Sequence, residues 1–260
     1  MKTIIIVHGI GGGDVKTKSG FSGALKKNVL SGIETDQHSD CWKEAAWEGV
    51  NDTIDTHLRD VVLELVPAAK QVKRSDYAAT KFGLLVFCGH YLKMLFNRGL
   101  RQRVPQVLDY LLDLPLYIGE PRGEAIRSIV RDVIEANPNS ILVGHSLGSL
   151  ICYDVLCQAQ AKGNPLPVSA LVTLGTPIGW MKGLDDPEYE NVHPVPLTIP
   201  WINMYYPNDP VCLSKELDET KFSGVVNVLL NVTTGIGLAS HTAYWKDTEV
   251  AQQIRKLANS

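Results

Sequence analysis

Short apolar runs that alternate with amphipathic helical patterns are the feature that most constrains how this chain can fold. The runs hold few polar and many β-branched residues, which is typical of strands buried on both faces of a sheet. Five runs are predicted to be strands: Ile4–Val7, Ser140–Val143, Ala170–Leu174, Trp201–Tyr206 and Val225–Leu230. Buried strands that alternate with helices favour an α/β fold with a mostly parallel central sheet.

Three helices are predicted from apolar side chains that recur every three or four residues along one face. The first begins near Pro121, a residue type that fits the first turn of a helix. The three apolar stripes are Ile126, Ile129, Val130, Val133 and Ile134; Leu147, Leu150, Ile151 and Val155; and Val250, Ile254 and Leu257. We expect these helices to flank the sheet.

The length of the chain favours one large domain with an insertion. The chain has 260 residues, of which 45% are hydrophobic and 20% are charged. Without an internal repeat or a linker, a single domain over residues 1–260 is expected. The stretch from His8 to Ser146 is much longer than two βαβ crossovers, about 60 residues, require. Residues 51–118 are therefore predicted to form a helical cap or insertion.

Within this insertion, Phe82–Phe96 is the most apolar stretch of the chain. Three roles stay open for it: a buried core helix, a cap that lines an acyl pocket, and weak contact with a membrane surface. The third role is favoured by basic residues nearby, Lys81, Lys93, Arg98, Arg101 and Arg103. A membrane-spanning segment is not expected, because no apolar run reaches about 18 residues.

Net charge and cysteine usage exclude several other classes of function. The formal net charge is −3, so the basic excess expected of a nucleic-acid-binding protein is missing. The five cysteines form no CxxC pair, which argues against a zinc site or a disulfide framework. The apolar run Ile4–Val7 is too short for a signal peptide. We therefore expect a cytoplasmic protein that does not bind nucleic acid.

The motif G-x-S-x-G occupies residues 144–148, directly between a predicted buried strand and a predicted helix. This is the setting of a nucleophile elbow, a strand-to-helix turn sharp enough to strain the backbone of its serine. Glycine at positions 144 and 148 leaves room for the neighbouring strand and helix. The helix N-terminus adds a positive dipole end beside Ser146. Ser146 is therefore the predicted nucleophile.

A serine hydroxyl needs a base that takes its proton, and the base needs an acid that orients it. In enzymes with this elbow the acid follows the serine and the histidine comes last. Downstream of Ser146 the chain has two histidines, His193 and His241. His193 lies in a proline-rich loop before a predicted strand, whereas His241 follows a glycine-rich loop before the last helix. The sequence favours His241 as the base.

Asp209 comes directly after the predicted strand Trp201–Tyr206, where its carboxylate would emerge at the carboxyl edge of the sheet. Ligands and catalytic groups of open α/β sheets gather at that edge. The rivals Asp185, Asp186 and Asp218 fall in a loop and in a charged helical segment, where we expect them to be solvated. Asp209 is therefore the predicted acid.

The oxyanion that forms when serine attacks a carbonyl needs preorganised N–H donors. One donor is predicted to be the backbone N–H of Leu147, directly after the nucleophile. The second is expected from the glycine-rich loop at residues 8–13, which follows the first strand. A phosphate-binding role for this loop is not favoured, because it matches neither GxxxxGK[ST] nor GxGxxG. His8 is expected to anchor the loop rather than to act as a base.

Taken in order, these motifs resemble those of lipase-like serine hydrolases of the α/β-hydrolase superfamily. They are His8-Gly9, the elbow GHSLG, Leu174-Gly175-Thr176-Pro177, Asp209-Pro210-Val211 and the late His241. The similarity covers residues 1–50 and 119–260. It implies an α/β-hydrolase fold, a triad and an oxyanion hole, with Ser146, Asp209 and His241 in the triad and Ile10 and Leu147 in the hole.

The sequence thus predicts hydrolysis of a small-molecule or lipid carboxylic ester through an acyl-enzyme on Ser146. This chemistry needs no metal or organic cofactor, because His241 activates first the serine and then the water. Since the superfamily is broad, acyltransferase, thioesterase or amidase activity on the same triad is an open alternative. A non-catalytic binding protein with a hydrolase fold is the alternative from another class of function.

Overall fold

A computed structural model of the chain describes residues 1–9, 22–31, 41–46, 117, 122–181, 197–209, 211–212, 216–231 and 238–260. The chain divides into two compact units. One unit consists of Met1–Trp47, Arg127–Leu184 and Glu188–Ser260, and it contains every described strand. The other unit consists of Glu48–Ile126 and Asp185–Pro187.

Several predictions fall on residues that the structure does not describe. The insertion at 51–118 is one of them, apart from Tyr117, and so is its apolar stretch Phe82–Phe96. His193 and Ile10 also lie outside the described residues. The insertion, the single-domain organisation and the role of Ile10 therefore stay predictions.

Six described strands form one sheet. They are β1 (Ile4–Val7), β2 (Trp42–Ala45), β3 (Ser140–His145), β4 (Val168–Leu174), β5 (Trp201–Tyr205) and β6 (Val225–Leu229). Their order across the sheet is β2-β1-β3-β4-β5-β6, and every neighbouring pair is parallel. Because parallel strands all run the same way, their carboxyl ends lie along one edge of the sheet.

The described helices lie between and after these strands. They are α1 (Gly23–Leu30), α2 (Arg122–Glu135), α3 (Leu147–Ala161), α4 (Ile178–Met181), α5 (Leu238–His241) and α6 (Thr248–Asn259), with a 3-10 helix at Ala243–Lys246. Helix α3 packs against β1, β3 and β4, while α6 packs against α1 and β3. The predicted α/β fold, a parallel sheet flanked by helices, is confirmed.

The five predicted strands are present, each within two residues of its predicted ends. β2 and α1 were not predicted. β2 lies at the edge of the sheet and buries only Trp42 and Ala45, while Lys43 and Glu44 between them are not buried. A strand that buries so little carries no continuous apolar run in its sequence.

The central strands are buried along their length because helices cover the sheet. β1 and β3 are fully buried at every position. The α6 stripe is confirmed at Val250 and Ile254, neither of which is exposed to solvent. Burying one such side chain is worth about 1.5–3 kcal/mol. Helix α6 begins after Asp247, whose carboxylate accepts hydrogen bonds from two N–H groups of the first turn.

None of the helices in the described part of the chain is both long enough and apolar enough to cross a membrane.

Candidate active site

Ser146 occupies the sharp turn between the end of β3 and the start of α3. Its backbone has φ 55° and ψ −128°, a conformation that side chains other than glycine rarely adopt. The residue is buried, and its N–H donates a hydrogen bond of 3.0 Å to the carbonyl of Leu174 at the end of β4. The sequence motif therefore coincides with a strained strand-to-helix turn that is tied to the neighbouring strand.

Three glycines make this turn possible because other backbone passes close to each of them. A Cβ at Gly144 would lie 2.5 Å from Cα of Ser149. A Cβ at Gly148 would lie 2.5 Å from the carbonyl oxygen of His8. A Cβ at Gly9 would lie 2.6 Å from Cβ and 3.1 Å from Oγ of Ser146. Gly9, just after β1, thus lies directly beside the Ser146 side chain.

Asp209 and His241 form a buried pair. Nδ1–H of His241 faces both carboxylate oxygens of Asp209, at 3.1 Å from Oδ1 and 3.0 Å from Oδ2. Both side chains have a relative exposure of 0%. Contact through Nδ1 leaves Nε2 as the nitrogen of His241 that is directed away from the carboxylate.

The Asp209 carboxylate receives two further hydrogen bonds. The backbone N–H of Val211 donates to Oδ1 over 2.8 Å, and the hydroxyl of Tyr244 donates to Oδ2 over 2.7 Å. Burial alone would raise the pKa of Asp209. The charge of His241 and the hydrogen bonds outweigh burial, so the pKa of Asp209 lies below its usual value. The carboxylate is therefore ionised at neutral pH, as an acid that orients a histidine must be.

Gly175, at the end of β4, brings the pair and the serine turn to the same edge of the sheet. Its φ is 55°, and a Cβ there would lie 2.6 Å from Oδ2 of Asp209 and 3.0 Å from Nδ1 of His241. Leu174, the residue before it, binds the N–H of Ser146. The Ser146 backbone and the Asp209–His241 pair thus lie beside neighbouring residues, Leu174 and Gly175, at the carboxyl end of β4.

His145 links the serine turn to the backbone of His241. A carbonyl oxygen can only accept, so Nε2–H of His145 donates to the backbone carbonyl of His241, at 2.7 Å. The two imidazole rings also pack with their centroids 4.5 Å apart. Burial and the neighbouring His241 lower the pKa of His145 well below its usual value, so His145 is neutral. In the sequence, His145 is an unspecified position of the G-x-S-x-G motif, and no local pattern there predicts this contact.

Leu147 is the first residue of α3, and the first N–H groups of a helix lack the carbonyl four residues earlier that later ones bind. They point, with the positive end of the helix dipole, toward the serine turn. The other predicted donor, Ile10, falls outside the described residues, although its neighbour Gly9 packs on Ser146. His8 lies 2.6 Å from the Gly9 carbonyl through Nδ1, which agrees with the predicted anchoring role.

Of the rivals for the acid, Asp218 alone lies in the described part of the chain. It is exposed, accepts from the N–H of Thr220, and forms an ion pair of 3.9 Å with Lys221. The predicted helical segment around it is a turn instead. Asp218 is therefore a surface charge, whereas Asp185 and Asp186 lie outside the described residues.

Comparison with known proteins yields similarity in structure only, since no protein-family model and no curated protein matches the sequence. A protein of Pectobacterium atrosepticum described as a yden-like hydrolase is 11% identical, with a TM-score of 0.47, over 100% of this chain and 91% of its own. An arylesterase is 10% identical, with a TM-score of 0.42, over 99% of this chain and 75% of its own. The RedJ thioesterase of Streptomyces coelicolor is 16% identical, with a TM-score of 0.35, over 51% of this chain and 66% of its own. Similarity at these values assigns neither a fold nor an activity to this chain.

The topology of the sheet and the turn at its centre define the fold. Helices flank an all-parallel sheet, and a sharp strand-to-helix turn with a strained serine follows β3. An aspartate comes after a later strand, and a histidine comes after it, before the last helix. This is the arrangement of the α/β-hydrolase fold. The described part of the chain thus has the α/β-hydrolase fold.

Proposed function

We propose that the protein is a serine hydrolase that cleaves a carboxylic ester through an acyl-enzyme on Ser146. The observation that carries this proposal is the buried pair of Asp209 and His241, at 3.0 Å, beside the strand end that binds the Ser146 backbone. A binding protein would not need to bury an ionised carboxylate against a histidine, since burying charges is costly. A hydrolase does need this pair, because the carboxylate fixes the tautomer of the base.

In the proposed reaction, Oγ of Ser146 attacks the carbonyl carbon of the ester and Nε2 of His241 takes the serine proton. Asp209 holds the proton on Nδ1 and stabilises the imidazolium that forms. The negative oxygen of the tetrahedral intermediate accepts from the Leu147 N–H and from a donor of the loop after β1, for which we propose Ile10.

His241 then protonates the leaving alcohol, and the ester bond to it breaks. Water attacks the acyl-enzyme in the second half of the reaction, with His241 again as base and then as acid.

The substrate is an ester of a small molecule or a lipid. An odd count of five cysteines without a CxxC pair supports a cytoplasmic location for this enzyme.

A fluorophosphonate probe tests the proposal, because it phosphonylates an activated serine and leaves ordinary serines unmodified. Wild type should be labelled on the peptide that contains Ser146, as read by mass spectrometry, and Ser146→Ala should not be labelled. Ser223, which is exposed in the turn before β6, provides a matched control, since Ser223→Ala removes a hydroxyl of the same kind far from the site. Labelling that persists in Ser146→Ala, or that falls on another residue, would overturn the proposal.

A panel of p-nitrophenyl esters from acetate to palmitate, with a thioester and an anilide of the same acyl group, tests the substrate class. Faster turnover of the ester supports the proposed activity. Preference for the thioester or anilide would reassign the same residues to thioesterase or amidase chemistry.

A further inference from the structure

Tyr244 contacts the candidate acid directly, although the reaction described above does not use it. It lies in the 3-10 helix Ala243–Lys246, three residues after His241, and it is fully buried. Its hydroxyl donates to Oδ2 of Asp209 over 2.7 Å and accepts from the N–H of Tyr206 over 3.1 Å. A backbone N–H can only donate, so the Tyr206 contact fixes the direction of the hydroxyl proton toward Asp209.

We propose that Tyr244 is a positioning residue for the reaction of Ser146, because its hydroxyl sets the orientation and the basicity of the Asp209 carboxylate that holds His241. This inference rests on the proposed hydrolase function. It adds a fourth side chain, whose hydroxyl binds Asp209 and whose ring meets the His241 ring edge-on, with centroids 6.4 Å apart.

The physical basis is that two donors share one carboxylate oxygen. Oδ2 of Asp209 receives Nδ1–H of His241 at 3.0 Å and the Tyr244 hydroxyl at 2.7 Å. A hydrogen bond to a carboxylate draws negative charge away from the other partner and makes the carboxylate less basic. Loss of the hydroxyl would leave more negative charge facing His241, which favours the protonated imidazole.

Two properties of the site keep this donor in place at all working pH values. Burial and the charge of Asp209 raise the pKa of Tyr244 well above its usual value, so the hydroxyl stays protonated. The ring packs on Tyr206, with centroids 4.6 Å apart, which fixes its position.

Other titratable groups face the pair from the surrounding elements, and the substitution Tyr244→Phe replaces none of their side chains. His145 packs on His241 from the end of β3, and His8 at the end of β1 acts on His145. Cys212 contacts the Asp209 carbonyl from the loop after β5. At the start of α6, the carboxylates of Asp247 and Glu249 raise the pKa of Tyr206, which packs on Tyr244.

The test is the rate of fluorophosphonate labelling of Ser146 as a function of pH in wild type, Tyr244→Phe and Tyr206→Phe. We expect the acid limb of the Tyr244→Phe profile to move up by about one pH unit, so that labelling on that limb is about tenfold slower. Tyr206→Phe is a matched control, because its hydroxyl donates to a different carboxylate, Oδ2 of Asp247, at 2.5 Å. Both variants lose one tyrosine hydroxyl bonded to a carboxylate, but we expect the acid limb to stay in place in Tyr206→Phe.

A second protein, in which 3-fluorotyrosine replaces Tyr244, keeps the ring and the hydroxyl and therefore the packing. Its hydroxyl is a stronger donor, so the acid limb should move down, opposite to Tyr244→Phe. An unmoved limb in Tyr244→Phe and in the fluorotyrosine protein would overturn the role of Tyr244 while leaving the hydrolase proposal intact. Should Tyr244→Phe fail to fold, the fluorotyrosine protein alone decides by the same criterion.

The absence of labelling in wild type would overturn the hydrolase proposal instead. In that case the proton NMR resonance of Nδ1–H of His241 still reports on the pair without any reaction. A downfield shift in Tyr244→Phe but not in Tyr206→Phe would show that Tyr244 controls Asp209. An unchanged resonance in both variants would overturn that control as well.

Discussion

Residues with positive φ occur near both the amino and the carboxyl edge of the central sheet, but the side chains around them differ between the two edges. β3 has Asn139 before it, with φ 60°, and Ser146 after it, with φ 55°. β4 has Gly163 before it, with φ 71°, and Gly175 after it, with φ 55°. Each of these two strands thus has one such residue in the connection before it and one directly after it, which allows a direct comparison.

At the amino edge Asn139 is held by its neighbours, since its N–H donates to the Pro167 carbonyl and its side chain accepts from the Ser169 hydroxyl. Asn139 is exposed, and asparagine is one of the few residues with a side chain that visit the left-handed region readily. A Cβ at Gly163 would meet no atom within 4 Å. Nothing but the local backbone is strained there.

At the carboxyl edge, residues with the same backbone conformation are packed against the ionisable side chains of the candidate site. Ser146 is buried, and a Cβ at Gly175 would touch the carboxylate of Asp209 and the ring of His241. A positive φ therefore does not mark a functional site by itself. Positive φ combined with close packing against ionisable groups does, because only packing holds such strain where a side chain must be aimed.

The largest difference in activity between the two edges is expected for substitutions of the residues that flank β3. Ser146→Ala should reduce kcat/KM for p-nitrophenyl esters by about 10⁵–10⁶, since members of a triad act as a unit. Asn139→Ala at the other end should keep full activity. Both are read by steady-state kinetics, with circular dichroism to check the fold. Comparable losses of activity in the two variants would remove the functional distinction between the edges.

Asp209→Asn should have the next largest effect, on activity and on stability. Losing the charge that orients the base should reduce kcat by about 10⁴. The pKa of Asp209 is lower in the folded protein than in the unfolded chain. The ionised carboxylate therefore stabilises the fold fully above the ordinary aspartate pKa of about 3.9. This stabilisation is lost as the pH falls through the lowered pKa of the folded protein. In urea unfolding, the stability gap between wild type and Asp209→Asn should therefore narrow below about pH 4.

Asp218→Asn is the control for this pH dependence. Asp218 is exposed, and its ion pair with Lys221 is of a kind that contributes little to stability. Its variant should keep full activity and differ from wild type in stability by about 0.5 kcal/mol or less from pH 3 to 7. A gap for Asp209→Asn that stays constant over this range would contradict the lowered pKa of Asp209.

The third effect compares Gly163, in the connection between α3 and β4, with Gly175, directly after β4. Gly175→Ala should reduce kcat/KM by about 100-fold, because the new Cβ would displace Asp209 and His241. Gly163→Ala introduces the same left-handed strain, about 1–2 kcal/mol, but meets open space and should keep full activity. Kinetics and urea unfolding of both variants measure the two effects separately. Equal activity in the two variants would show that crowding at Gly175 is irrelevant to the site.

The sequence was sufficient where a feature depends on neighbours along the chain. The buried strands, the turn at Ser146 and the α6 stripe follow from runs, glycines and periodicity, which are local. β2 was not predicted, because an edge strand with only two buried residues shows almost no apolar pattern in the sequence.

Contacts between residues far apart in the chain could not be predicted from the sequence, because they depend on how separate elements pack together. Whether the Tyr244 hydroxyl reaches Asp209, 35 positions away, depends on how the 3-10 helix packs on the end of β5. The contact of His145 with the His241 carbonyl joins residues 96 positions apart. No local signal encodes either contact, so only the folded chain reveals how the candidate triad is held.

The smallest effect concerns the strain itself, measured by placing glycine at the two ends of β3. Glycine adopts positive φ without steric cost, whereas alanine at φ 55° and ψ −128° does not. Ser146→Gly should therefore be more stable than Ser146→Ala by about 1–2 kcal/mol, although both are inactive. Asn139→Gly should give no such gain, because asparagine already tolerates its conformation and its side chain accepts a hydrogen bond from Ser169. Urea unfolding measures all three. If glycine gave no advantage over alanine at 146, the backbone there would be unstrained. The difference between the edges would then lie in the surrounding side chains alone.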